Sequence, residues 1–279
     1  MAFINFNGKL LDQDSPIIRA NSRGLRYGDG LFETLKMERG KIRHWDLHMN
    51  RLFSGLTALK FVCPKLFTPE FLWTELSRTA EKNKVSKRGR IRLTLIRGNG
   101  GLFDPENLQP NYIIEATELP EQYFRFNENG LVIDVFPDAR KSCDGYSSLK
   151  HNNYLPYLMA ALYAKEHQLN DCLLLNQYNR ICDSTIANLF WVKDIRLYTN
   201  PISEGPVAGT MRQFLLNRLA EEGNPVIEAN TSPEELLSAD ELFLTNAAYG
   251  VRWVGRFRDK IYTNQTSSKI YSQYVQTKE

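Results

Sequence analysis

The chain has 279 residues, 42% hydrophobic and 11% aromatic, enough to bury roughly three quarters of the unfolded surface without staples and unlike disordered, collagen-like, coiled-coil or membrane-spanning chains. Its 35 Lys and Arg against 32 Asp and Glu leave a formal charge of +3, with no run of like charge long enough for a nucleic-acid or membrane-surface arm. The opening MAFINFNGKL has neither a basic nor a long apolar stretch, and Cys63, Cys143, Cys172 and Cys182 show no C-x-x-C spacing. A cytoplasmic protein without membrane or nucleic-acid partners is expected.

Along the chain, residues 3–6, 31–37, 91–97 and 111–117 predict strands, rich in β-branched or aromatic side chains and partly alternating, while 44–60 and 69–83 carry helical periodicity. These define a small α+β domain over 1–120. After Leu119-Pro120 a polar stretch leads to LVIDVFP, a strand that its Pro137 is expected to close. Residues 154–168 predict a helix, CLLLN, NLFWV and IRLYT predict short strands, and ELFLTN predicts one more. Between them SEGPVAGTMRQFLLNRLAEEG passes from a Gly and Pro loop into an amphipathic helix stopped by Gly223. The larger, strand-rich domain therefore spans 121–279, with its chemistry on loops.

Four features carry chemistry. Lys150 lies among small polar residues in CDGYSSLKHNNY, and a lysine screened from water can form a Schiff base. Gly205-Pro-Val-Ala-Gly209-Thr210-Met211-Arg212 delivers backbone N–H groups at a helix start, which suits a phosphate, although neither a P-loop nor a GxGxxG follows a strand. Asp183 lies between two apolar strands, where it either caps a turn or needs a buried partner. His44, His48 and Arg51 share a helix in HWDLHMNRL; the two histidines have the spacing of a metal pair, but with no HEXXH glutamate and no third ligand in view, no metal is expected.

Six ordered blocks, RYGDGLFE, HMNRL, LKHNNY, ANLFW, GTMRQF and LTNA, resemble the class IV aminotransferases, the fold-type IV pyridoxal-phosphate enzymes, over nearly the whole chain. That family includes branched-chain and D-amino-acid aminotransferases and aminodeoxychorismate lyase. The resemblance implies a two-domain α+β fold with pyridoxal 5'-phosphate at the domain junction, and a homodimer whose partner loop is Arg97 to Phe103.

It further implies that Lys150 is the Schiff-base lysine and proton carrier, and that Asp183 faces the pyridine nitrogen where the family usually has glutamate. Arg51 would bind the phosphate with the amides of Thr210 and Met211 after Gly209. Tyr154 would lie near the phenolate oxygen, one residue off the family spacing, and the turn with Asn246, Ala247 and Ala248 would bring amides to phosphate or substrate carboxylate. Tyr27, Phe32, Arg92 and Ala248 would line the substrate site. The Arg-x-His trap of the D-amino-acid enzymes is absent. The motifs imply two reactions, the first the leading reading and the second its alternative. One is transfer of an amino group from an apolar L-amino acid to a 2-oxo acid, implied by Phe32, Tyr27 and Arg92. The other is the lyase reaction of folate synthesis that forms 4-aminobenzoate and pyruvate, implied by LKHNN, ANLFW and GTMRQF. A non-catalytic dimeric scaffold is the remote third reading.

Overall fold

The computed structural model describes residues 2–276. It opens on a hairpin of β1 (Phe3–Phe6) and β2 (Lys9–Asp12), turned by Asn7 and Gly8 at φ of 49° and 84°, a left-handed pair that Asn-Gly adopts readily. A short helix α1 (Arg23–Tyr27) leads into β3 (Gly30–Glu38), which turns at Arg39 and Gly40 into β4 (Lys41–Ile42). Two helices follow, α2 (Trp45–Ala58) and α3 (Pro69–Lys82), then β5 (Arg88–Arg97) and β6 (Pro110–Glu118). Thr68 caps α3 by accepting from Phe71 N at 3.2 Å, and Pro69 fills the first helical position, where no N–H is needed.

Among the described residues these strands form an antiparallel six-stranded sheet in the order β2-β1-β6-β5-β3-β4. Its helix-facing side buries Leu31, Leu35, Met37, Ile91, Leu93 and Ile114 against Leu52, Leu56, Leu72 and Leu76. Burial at two-residue spacing in the strands and helical spacing in α2 and α3 is what the sequence periodicity demands.

Met1–Pro120 forms one compact unit together with Leu149–Asn153, and Glu121–Ser148 with Tyr154–Glu279 forms the second. Lys150 therefore groups with the first unit, whereas the 121–279 domain expected from sequence includes it. The reason is an unfilled edge. β3 pairs with β4 only at Met37 and Glu38, so its Gly30–Phe32 end is taken by the passing segment: Phe32 N donates to Lys150 O at 2.9 Å and Asn152 N to Gly30 O at 3.0 Å.

The second unit begins with β7 (Leu131–Lys141) and α4 (Leu155–Glu166), followed by β8 (Asp171–Asn176), β9 (Ile181–Ser184), β10 (Asn188–Lys193) and β11 (Arg196–Thr199). Then come α5 (Thr210–Glu221), β12 (Ile227–Glu228), α6 (Pro233–Leu236), β13 (Glu241–Asn246), β14 (Gly250–Phe257), β15 (Lys260–Ile261) and α7 (Gln265–Ile270). Among the described residues they form a nine-stranded mixed sheet, β12-β11-β10-β13-β14-β7-β8-β9, with β15 beside β14.

β7 does not end at Pro137. The register with β8 shifts between Val135 and Arg140, so the proline falls in an irregularity where its missing N–H breaks no ladder bond, and the strand resumes to Lys141. β10 and β13 are buried on both faces: Leu189, Trp191, Leu242 and Leu244 enter one core, while Phe190 and Phe243 stack in another against Met211 and Leu215 of α5. Continuous apolar runs rather than alternation follow from that. Among the described residues no helix is long and apolar enough to cross a membrane.

Candidate active site

In the first unit, the sequence candidates gather on β3 and its neighbours. Phe32 is buried, and its ring meets two cations, the Arg92 guanidinium at 4.0 Å and the Lys150 ammonium at 4.3 Å. Arg92 also donates from Nε to Thr94 Oγ1 at 3.2 Å. Such contacts hold a cation without neutralising it. Tyr27 lies apart on α1, 37% exposed, beneath the Arg23 guanidinium.

Arg51 on α2 is bound to Glu33, a residue that sequence reasoning passed over. Its Nε donates to Glu33 Oε1 at 2.8 Å and its Nη2 to Oε2. His48 Nδ1 lies 2.7 Å from Oε2, and since an ionised carboxylate only accepts, that nitrogen carries the proton. Burial alone pushes the Glu33 carboxyl up, but Arg51 and His48 outweigh it and hold it at about 2. Burial lowers His48, which is therefore a neutral donor. The i,i+4 spacing of His44 and His48 thus marks a structural hydrogen bond at His48, while His44, lowered by burial to about 4, precedes α2 at φ 55°.

In the second unit Asp183 lies within β9, opposite Leu174 of β8, and is 2% exposed. Its Oδ2 accepts from Tyr157 O–H at 2.9 Å, from Val207 N at 2.9 Å and from Lys141 Nζ at 3.2 Å. Oδ1 accepts only Lys141, at 3.3 Å, among the described residues. Lys141 also donates to Tyr157 Oη and to Gly205 O. Burial and the Asp183 charge push the Tyr157 phenol well up, so it stays a donor. Asp171, also buried, accepts from Ser184 Oγ, Thr185 N and Thr185 Oγ1 and so fixes the end of β9. Tyr154 immediately precedes α4 as its N-cap residue and stacks on Tyr157 at 4.3 Å, with its O–H 3.5 Å from Thr185 O.

Val207 ties this acid to the start of α5. Its carbonyl accepts from Asn188 Nδ2 at 2.8 Å. The helix starts at Thr210 after Gly209, which has no side chain to cap it, and its first turn holds no acid. A Cβ at Gly209 would stand 1.9 Å from Asn188 Oδ1, so only glycine lets the chain approach. Opposite Asn188 on β13, Thr245 Oγ1 is buried with no hydrogen-bond partner among the described residues. A helix start with a glycine N-cap and no acid, beside an unsatisfied buried hydroxyl, fits a phosphate. The Met211 side chain faces the core, which leaves only its amide to face a ligand. At the next turn, Ala248 N and Tyr249 N both donate to Asn246 Oδ1, so Ala247 carries the amide that this side chain does not take.

Residues 30–257 match the family model "Amino-transferase class IV". The chain is 31% identical over 231 residues to an aminodeoxychorismate lyase of Vibrio harveyi, covering 82% of this chain and 83% of that one. It is 27% identical over 270 residues to a putative branched-chain-amino-acid aminotransferase of Methanocaldococcus jannaschii, covering 96% and 92%. The branched-chain aminotransferase of Thermoproteus uzoniensis with norvaline superposes with a TM-score of 0.86 at 23% identity, covering 98% and 93%, which shows the shared fold. That fold is the one of the fold-type IV pyridoxal-phosphate enzymes. The chain belongs to the amino-transferase class IV family, whose members are enzymes that use pyridoxal phosphate.

Proposed function

We propose that this protein binds pyridoxal 5'-phosphate and acts on a small amine-bearing carboxylate. The observation that carries this reading is Lys150 held by backbone bonds on the edge of β3, its ammonium against Phe32. Arg51, Thr210 and Met211 would hold the phosphate, with Gly209, Asn246 and Ala247 shaping the loops around it. When bound, the group supplies an aldehyde for a substrate amine and a pyridinium ring that accepts electrons. Lys150 would hold the aldehyde carbon and, once displaced by the substrate amine, carry a proton to or from the substrate carbon. Asp183, paired with Lys141, would hold the proton on the pyridine nitrogen, with Tyr154 nearby.

Of the reactions the motifs imply, we infer the lyase, giving 4-aminobenzoate and pyruvate. LKHNN, ANLFW and GTMRQF support it, as does the higher identity to the lyase relative. The second reading, amino transfer from an apolar L-amino acid to a 2-oxo acid, is favoured by the apolar face of Phe32 beside the Arg92 cation, with Tyr27 and Ala248 as further substrate contacts. Assaying pyruvate release from aminodeoxychorismate beside glutamate formation from leucine and 2-oxoglutarate separates the two. Borohydride reduction should place the phosphopyridoxyl mass on the Lys150 peptide, and a Lys150→Ala protein that still turns over refutes the assignment.

A homodimer belongs to the same reading. Leu155, Leu158, Met159 and Leu162 form an apolar stripe on α4, 45% to 66% exposed, and Phe103 at the tip of the Arg97 to Phe103 loop is 92% exposed. Surfaces of this kind are ordinarily covered. Four free thiols suit a cytoplasmic location.

A further inference from the structure

Glu33 stands in the RYGDGLFE block, yet no role follows for it from the motif. In the fold it is 1% exposed and takes the Nε and Nη2 edge of the Arg51 fork, with His48 as its third donor. Its chain neighbour Phe32 donates its N–H to Lys150 O, and Leu31 bridges His151. Three consecutive residues of β3 thus hold the lysine segment by backbone and the arginine by a carboxylate.

We propose that Glu33 is a positioning residue that sets the Arg51 guanidinium for the cofactor's phosphate, with β3 as the ruler between Arg51 and Lys150; this rests on Arg51 being the phosphate ligand. The alternative is that Glu33 merely neutralises a cation whose side chain is 12% exposed. The two roles differ in sign. By Coulomb's law a carboxylate beside Arg51 weakens its attraction for a phosphate dianion, so removing the charge alone tightens phosphate binding. Removing the two-point contact frees a fork whose value lies in its fixed geometry and weakens phosphate binding instead.

The test removes the cofactor from the holoenzyme and titrates it with pyridoxal 5'-phosphate and with pyridoxal, which lacks the phosphate, by equilibrium dialysis. Glu33→Asp keeps the charge and shortens the reach; Glu33→Gln keeps the length and removes the charge. Positioning predicts that both lose about tenfold or more of the preference for the phosphorylated form, the scale of one charge-assisted contact, with pyridoxal binding unchanged. It also predicts that Glu33→Asp adds nothing in an Arg51→Met background. A Glu33→Asp protein with the parent's preference, a Glu33→Gln protein that binds the phosphorylated form more tightly, or equal loss for both ligands overturns the proposal. A parent without the preference, or Arg51→Met retaining it, overturns the phosphate role of Arg51 itself. Should Glu33→Gln not fold, Glu33→Asp and the double variant decide.

Discussion

Asp183 Oδ2 and Lys141 Nζ lie 3.2 Å apart with both residues buried, and Tyr157 is bonded to each of them. The carboxylate therefore has a counter-charge supplied by the protein before any ligand arrives. Removing one member strands the other: Asp183→Asn and Lys141→Met should each cost about 3 to 5 kcal/mol of stability. The double variant should recover much of that loss. Denaturant unfolding of the four proteins checks it, and strictly additive losses contradict the pairing.

The same acid bears on turnover. Asp183→Ala should retain the cofactor, since Arg51, the α5 start and Lys150 would still hold it, while the reaction slows about tenfold to hundredfold, the scale of one buried charge-assisted hydrogen bond. A variant with parental turnover reduces Asp183 to a structural acid. Asp183→Glu, although it restores the family's usual length, must fit another methylene among Lys141, Tyr157 and Val207 N. It should lose about 1 to 3 kcal/mol of stability by overpacking.

Stability should fall on acidification in two stages. His44 and His48 sit below their ordinary 6.5 because burial disfavours the charged ring, so the unfolded chain takes up protons first as pH drops below about 6.5. Glu33 is held at about 2 against an ordinary 4.5. Its contribution, about 3 kcal/mol, is complete above pH 4.5 and is lost as pH falls toward 2. Unfolding free energies measured across this range should show the lower stage vanish in Glu33→Gln, and its persistence there would assign it to other carboxylates.

Gly209→Ala places a methyl carbon 1.9 Å from Asn188 Oδ1. Asn188 or the start of α5 must move, at a cost of about 1 to 3 kcal/mol, and the cofactor should bind more weakly while pyridoxal binds as before. Equal weakening of both ligands, read by dialysis, would show that the loop does not serve a phosphate.

Leu158→Asp places a charge in the apolar stripe of α4 and should shift the sedimenting species from dimer toward monomer. A parent that sediments as monomer at assay concentration with full activity removes the homodimer.

What the sequence determined on its own is local and periodic. Helical spacing placed α2, α3 and α4 to within a few residues, short apolar or β-branched runs bounded by turn residues placed β3, β5, β6, β8, β10 and β13, and short motifs marked Lys150, Arg51, Asp183 and the Gly209 loop for attention. Each signal is written within a dozen neighbouring residues. The tertiary structure decided what depends on distant pairing. The short β9 and the glycine-broken β14 are strands because neighbours complete their ladders, and β7 passes Pro137 because a register shift absorbs it. Lys150 joins the first unit because β3 has an open edge. Glu33, Lys141 and Tyr157 surround the marked residues from 18, 42 and 26 positions away. Charged and phenolic side chains are common along any soluble chain; burial against one another is what turns these into a network, and burial is a property of the fold.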